Sequence, residues 1–546
     1  MPGRRASGRA ASATVDAMRR SFWAWGWEEL LPAGAARQAL AAQVAGALGQ
    51  AMPEPKPLPT LGRAIAGISR ASVAPPQSIA ALCDTSPEAR LRHAYGRAYP
   101  DLVRGFAGDF AAAPDFVCLP RTEEDVARAL DACAANDIAV TPYGGGTSVV
   151  GGVEGGGRGR PACALDLARL SSVLEVDPVS RAARIQAGVL GPGLEAQLQP
   201  HGLTLRHFPQ SFEFSTLGGW VATRAGGHFA TLYTRIDDAI ESVRLITPAG
   251  AWASRRFPAS GAGPSADRLA LGSEGVLGVI TEAWVRVHPS PRHRASATVF
   301  FPDFLTGARA ARAIAQSGLY PSNCRLLDPG EALLNGVGGE GAVLFVAFES
   351  ADHPLQAWMS RALELLAEAG GTCPRGAVYR AHGEKTRGEE SAKWRDAFFA
   401  APYLQSALVS LGILADTFET ACTWDKFEAL HASVSSTVAD ALRRICGAGF
   451  VSCRLTHVYP DGPAPYFTML APARAGGELA QWGEIKAAAS EAVLSAGGTI
   501  THHHAVGRTH RPWYDRERPE PFAAALRAAK RALDPTGILN PGVLFD

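Results

Sequence analysis

Five glycines within nine residues, Gly144, Gly145, Gly146, Gly151 and Gly152, restrict what this chain can fold into more than any other feature. The stretch runs Pro142-Tyr143-Gly144-Gly145-Gly146-Thr147-Ser148-Val149-Val150-Gly151-Gly152 and follows a helix-then-strand pattern. Without β-carbons the backbone turns tightly and offers successive N–H groups to an anion, most naturally a pyrophosphate. Two common nucleotide loops are excluded. A G-x-G-x-x-G fingerprint counted from Gly144 needs glycine where Val149 stands, and a P-loop needs a lysine where Gly152 and Val153 follow Gly151. Taken alone, the segment also reads as a flexible surface loop.

The rest of the chain has to supply a frame for that loop. Its 546 residues are enough for roughly two to four domains with a large core. Hydrophobic residues at 47% and charged residues at 19% describe an ordinary globular protein, and a net charge of +1 argues against a nucleic-acid partner. Nine cysteines, none in C-x-x-C spacing, fit a reducing compartment better than a disulfide framework, so a cytoplasmic location is expected. No run of about 18 apolar residues marks a membrane span. Arg4, Arg5, Arg9, Arg19 and Arg20 precede no apolar h-region, so the first twenty residues read as a disordered tail rather than a secretory signal. Phe22-Trp23-Ala24-Trp25-Gly26-Trp27 is open to two readings, a peripheral membrane anchor or an aromatic cluster packed on the protein body. The C-terminal Val543-Leu544-Phe545-Asp546 carries no peroxisomal signal.

Four regions are expected: a tail and helical region over 1–108, a cofactor domain over 109–290, a substrate domain over 291–484, and a C-terminal segment over 485–546 that completes the active site. Thr122 reads as an N-cap followed by Glu123, Glu124 and Asp125. Val126, Ala129, Leu130, Cys133 and Ala134 then form one buried helical face. Ile138–Thr141 is a short strand feeding the glycine loop. Further strands are expected at 164–167, 183–187, 241–246 and 283–287.

Two later motifs say which nucleotide the loop serves. Pro209–Gly227 contains Gly218-Gly219 and Gly226-Gly227 with hydroxyls at Ser215, Thr216 and Thr223, which are donors for ribityl and phosphate oxygens. Gly272-Ser273-Glu274-Gly275-Val276-Leu277-Gly278-Val279-Ile280 places glycine at every third position before a strand. In this order and spacing, the three motifs resemble the FAD-binding domain of the vanillyl-alcohol-oxidase-type flavoproteins. The closing Leu533–Gly542 segment matches that family's usual ending. The resemblance implies an α+β fold, with an FAD-binding domain of two α+β subdomains, a second α+β substrate (cap) domain and a helical N-terminal region. It implies FAD contacts from Pro142, Gly144, Gly145, Gly146, Thr147, Ser148, Gly151, Pro209, Ser211, Ser215, Thr216, Gly219, Thr223, Arg224, Gly226, Glu274, Gly275, Gly278, Val279 and Ile280. Tyr143, rather than a histidine, precedes the glycine triplet, so FAD is expected to be held non-covalently.

The triplet His502-His503-His504 narrows the reaction. On a strand, His502 and His504 would face one side and His503 the other. No nearby acid joins them, so acid–base chemistry is the expected role and no metal is expected; core histidines are the plainer reading. With Trp23–Trp27, Phe212–Trp220, Cys324-Arg325-Leu326-Leu327-Asp328, Thr417-Phe418-Glu419-Thr420 and Cys453-Arg454-Leu455-Thr456, the triplet is similar to the alkyldihydroxyacetonephosphate synthases. Related 2-hydroxy-acid dehydrogenases typically have Glu-His-Gly there instead. Position by position, the resemblance implies catalytic roles for Tyr466, His503 with its neighbours His502 and His504, and Arg325. The reaction it implies is redox-neutral: oxidised FAD carries the dihydroxyacetone-phosphate carbon at N5, a fatty acid leaves as carboxylate and a long-chain alcohol replaces it. Lipid-like substrates and a homodimer come with the resemblance.

Two departures stand out. Gln405 occupies a position where an arginine is expected, and Gln210 one where many members have aspartate. Arg325, Arg395 or Arg454 would have to compensate for Gln405, or the substrate differs. The competing readings are an FAD-dependent oxidase or dehydrogenase of an alcohol or 2-hydroxy acid, and a catalytically silent flavin-binding scaffold. His228 and His457 are expected to be ordinary loop and strand residues.

Overall fold

The computed structural model describes residues 18–48, 55–337, 340–381 and 389–545; side chains are described for these except 47–48 and 389–399. Arg4, Arg5 and Arg9 of the expected tail lie outside the described residues. The first sheet comprises Cys83–Asp84 (β1), Phe116–Cys118 (β2), Ala139–Tyr143 (β3) and Ala162–Asp166 (β4), in the order β1-β2-β4-β3. Strands β2 and β3 both run parallel to β4, and the helix Glu123–Ala135 makes the crossover between β2 and β3. Thr122 caps that helix by accepting from Asp125 N at 3.2 Å. Val126, Ala129, Leu130 and Cys133 are buried on it as their spacing predicts.

Val173–Asp177 (β5), Ala182–Gln186 (β6), Leu203–Thr204 (β7), Ile240–Thr247 (β8), Gly250–Ala253 (β9), Val279–Arg286 (β10) and His288–Pro289 (β11) follow. Strands β7 and β11 pair with each other; the others form an antiparallel sheet in the order β5-β6-β10-β8-β9. One hydrophobic core runs beneath both sheets.

The substrate half is a seven-stranded sheet. His293–Phe301 (β12), Asn323–Leu327 (β13), Ala342–Ser350 (β14), Val378–Arg380 (β15), Ile413–Glu419 (β16), Phe450–Val458 (β17) and Pro463–Pro472 (β18) lie in the order β15-β12-β14-β13-β17-β18-β16, each antiparallel to its neighbour. Helices Phe304–Gln316, Gln356–Glu368, Trp424–Cys446 and Glu478–Ser495 contribute to the core on one of its faces. Side chains alternate along a strand, so Cys324, Leu326, Cys453, Phe467 and Met469 enter that core. Arg325, Arg454, Tyr466 and Thr468 project the other way, toward the glycine loops.

The observed α+β architecture is the expected one, but the divisions differ in detail. The boundary at 484/485 falls inside the helix Glu478–Ser495, whose Ile485, Ala489 and Val493 belong to the substrate-domain core. The chain returns to the first sheet only near its end, where Leu539 bridges Val140 in parallel. The N-terminal region is not wholly helical, because it supplies β1. Phe22, Trp23, Ala24 and Trp25 are buried, which removes these aromatics as a membrane anchor. The tail reading fails at Arg20, which bridges to Trp27 and packs inside the protein. No helix among the described residues is long and apolar enough to cross a membrane.

Candidate active site

A cavity of about 1110 Å³ lies where the open face of the seven-stranded sheet meets the glycine loops. The 144–149 segment forms one wall, and the backbone N–H groups of residues 144–148 donate to no acceptor among the described residues. Five consecutive unmatched donors on a cavity wall are costly unless an anion or water meets them. The loop can lie there only because it is glycine. A β-carbon on Gly145 would sit 1.7 Å from Phe214 O, and one on Gly144 2.3 Å from Thr216 Oγ1. The first motif is thus pressed onto the second, and their shared surface fits the pyrophosphate and ribityl chain of FAD.

The predicted cofactor residues separate into two groups. Gly144, Gly145, Gly146, Thr147, Ser148, Pro209, Ser211, Ser215, Thr216, Gly219, Thr223 and Gly226 line the cavity. Pro142, Gly151, Arg224, Glu274, Gly275, Gly278, Val279 and Ile280 do not. The third motif lies behind the other two: Gly275 is in the left-handed region at φ 78°, and a β-carbon there would meet Pro142 Cγ at 2.9 Å. Gly278 abuts Thr247, and Val279 and Ile280 are core residues of β10. Arg224 pairs with Asp237 at 2.9 Å. The buried Glu274 accepts from Val506 N and Gly507 N, both at 2.9 Å, and burial pushes its carboxyl up to about 7. Thr223, expected to donate to a ligand, instead spends its proton on Gly219 O at 2.8 Å.

Opposite the glycine loops, strand register sets out a polar row. Arg454 on β17 faces Tyr466 on β18, and Tyr466 faces Glu419 on β16. Arg454 is ion-paired to Glu331 at 2.7 Å, and its guanidinium carbon lies 3.8 Å from the Tyr466 ring centroid. Tyr466 Oη donates to Thr417 Oγ1 at 2.9 Å, and burial raises its pKa, so the phenol keeps its proton.

The histidine triplet is not a strand. It is an irregular turn wrapped around the Glu419 carboxylate, which accepts from the N–H groups of His502 (2.7 Å), His503 (3.1 Å) and His504 (3.0 Å) and from Thr501 Oγ1 (2.6 Å). Burial opposes charge on Glu419, but the neighbouring imidazoles, His503 first, hold its pKa well below the usual range. Burial drives His502 and His504 well below theirs. The Tyr466 and His503 rings stack with centroids 6.1 Å apart, and both side chains line the cavity. Arg325 does too; burial and the nearby Arg454 lower its pKa to about 9, and it donates to His228 O at 3.4 Å.

Several residues of the site were not singled out from sequence. Glu419 supplies the acid that the triplet was thought to lack. His457, expected to be ordinary, brings its ring nitrogen together with those of His502 and His503, all within 4.8 Å of one another; the ligand from a further segment that a metal reading would need, and that was not expected, is therefore present. A β-carbon on Gly226 would lie 3.1 Å from His457 Nε2, so the second glycine motif seats this cluster directly. His228 also lines the cavity, bonding Asn323 through its ring at 2.6 Å. Gln405 reaches the cavity but turns its amide to Ala415 O at 3.0 Å; the Arg395 side chain lies outside the described residues. The alternation Thr417-Phe418-Glu419 was a partial signal for Glu419: it turns the acid away from the core-facing Phe418, while its place beside Tyr466 comes only from the pairing of β16 with β18.

Comparison with known proteins agrees with this geometry. Residues 114–254 match a family described as an FAD binding domain, and residues 290–544 match the C-terminal domain of FAD linked oxidases. The chain is 31% identical over 472 residues to alkyldihydroxyacetonephosphate synthase of Dictyostelium discoideum, covering 84% of this chain and 77% of that protein. It is 30% identical over 476 residues to the synthase of Trypanosoma brucei brucei, with the same coverage of both chains. A solved alkyldihydroxyacetonephosphate synthase structure superposes with TM-score 0.78 at 25% identity, covering 95% of this chain and 98% of the other.

Proposed function

The chain belongs to the alkyldihydroxyacetonephosphate synthases, FAD-dependent enzymes, and on that footing we propose that it exchanges the acyl group of acyl-dihydroxyacetone phosphate for a long-chain alcohol. The observation that carries this reading is the continuity of the cavity. The unmatched loop amides, the phenol–imidazole pair and an apolar stretch of Leu40, Val44, Leu408, Ile413 and Leu470 share one space. Each methylene buried along such a wall contributes about 0.8 kcal/mol, which suits fatty chains.

Bound FAD would supply an electrophilic ring that activates the dihydroxyacetone-phosphate carbon without net oxidation. Tyr466 Oη, oriented by Thr417, lends its proton to the substrate oxygen on which negative charge develops and takes it back as that charge collapses. His503 accepts the proton shed by the incoming alcohol and passes it to solvent, since the fatty acid leaves as carboxylate; its cation is stabilised by the Glu419 carboxylate 3.5 Å from Nδ1. Arg325 is the cation for the departing carboxylate or the substrate phosphate; Arg454, committed to Glu331, instead fixes the Tyr466 ring. The apolar wall keeps water from competing with the alcohol.

Gln405 favours a second reading, oxidation of an alcohol or 2-hydroxy acid, because a neutral amide contributes no charge toward an anionic leaving group. The two readings part in one anaerobic experiment with acyl-dihydroxyacetone phosphate and a fatty alcohol. Ether product with the flavin absorbance unchanged is expected. Bleaching without ether would transfer the assignment to the oxidoreductase.

A further inference from the structure

Arg97 is a buried cation that the roles assigned so far do not use. It lines the cavity beside the 144–149 loop, and its N–H donates to Ser148 O at 2.6 Å. The contact depends on Gly96, where a β-carbon would fall 2.3 Å from Ser148 O. Its guanidinium is clamped by three carbonyls: Nε to Ala24 O at 3.0 Å, Nη1 to Gly96 O at 2.7 Å and Nη2 to Ser21 O at 3.1 Å. Arg20 approaches the same loop, donating to Gly145 O, with its guanidinium carbon 5.0 Å from the Phe214 ring centroid.

Carbonyls accept from all three nitrogens of Arg97 and from one of Arg20, but they do not cancel the charge. Among the described residues, no carboxylate lies within 4.0 Å of either guanidinium. The acidic groups that act on Arg97 are the buried Tyr143 phenol first and then Asp101, which caps Ala98 N at 3.0 Å and is itself pushed up to about 7 by burial. Trp25 Nε1, buried on the same cavity wall, has no acceptor among the described residues. A buried cation without a counter-ion is strongly unfavourable, and here it adjoins five amides that also lack acceptors. An anion resolves both.

We propose that Arg97 supplies the countercharge for the pyrophosphate of FAD, with Arg20 positioning the loop, so that the segment from 20 to 27 forms a wall of the cofactor site. This rests on the cofactor alone and is independent of which substrate the enzyme takes.

The test compares Arg97→Gln and Arg97→Lys. Each purified protein is assayed for flavin content by visible absorbance, and for the dissociation constant by fluorescence titration of the flavin-stripped protein with FAD. If the charge matters, Arg97→Gln weakens FAD binding about 10- to 100-fold, while Arg97→Lys stays within a few-fold of the parent. Equal weakening in both variants would mean that only the three-carbonyl clamp matters, and a change under twofold in Arg97→Gln would mean that the residue is idle; either result overturns the proposal. Should neither variant fold, the unaltered protein still decides. Inorganic pyrophosphate is expected to compete with FAD rebinding, and higher salt to speed FAD release. Indifference to both would defeat the idea.

Discussion

Glu419 is the residue on which the catalytic turn depends. A carboxylate has about four lone-pair sites, one for each of the three amides and the hydroxyl, whereas glutamine would turn an N–H₂ group against donors already there. Glu419→Gln is expected to cost about 3–5 kcal/mol of stability and most of the activity, read by thermal unfolding and turnover. The native carboxyl has a depressed pKa, so its stabilisation is present above the unfolded-state value near 4.5. It is lost as pH falls through the folded value. His503→Ala and Tyr466→Phe should each lower turnover about 10²- to 10⁴-fold while leaving flavin content intact. A normal rate in either variant would remove that residue from the proton path.

At the level of elements, the glycine loop is held in position by the second motif as much as by its own conformation. Gly145→Ala would push a methyl into the Phe214 carbonyl and separate the two motifs. The expected result is a colourless or weakly yellow protein, checked by the visible absorbance of the purified product. The loops were legible in the sequence because glycine spacing acts locally, on backbone freedom within a few residues. The same holds for the Thr122 cap and the buried face of the Glu123–Ala135 helix. The third motif's place behind the other two was not legible, because a glycine packed against Pro142 looks in sequence like one facing a ligand. The triplet's turn, its Glu419 anchor and the arrival of His457 were equally hidden. Each depends on the pairing of β16, β17 and β18, which no local pattern encodes.

For the whole molecule, buried acids tie stability to pH in the direction opposite to Glu419. Burial raises Asp101 to about 7, so the folded state binds this proton more tightly than the unfolded chain. Its effect on stability is therefore a decline as pH rises from about 4 to about 7, and none beyond. Asp101→Asn keeps an acceptor for Ala98 N and removes the charge. It should raise the melting temperature at pH 8, by up to about 4 kcal/mol of stability, and leave it nearly unchanged at pH 4. Melting curves at the two values check this.

The segment bearing Arg20, Trp25 and Trp27 touches three distant parts of the chain: Gly145 in the first loop, Glu213 in the second, and Tyr403 and Ser406 on the helix Glu389–Ser410. Trp25 N donates to Ser406 Oγ across a sequence separation of 381 residues. During synthesis on the ribosome this stretch is made before Glu213 and well before Tyr403 and Ser406, so its seat is incomplete until those residues have been translated. A segment made before its own seat is thus among the last to dock, and its arrival fastens both halves of the enzyme together.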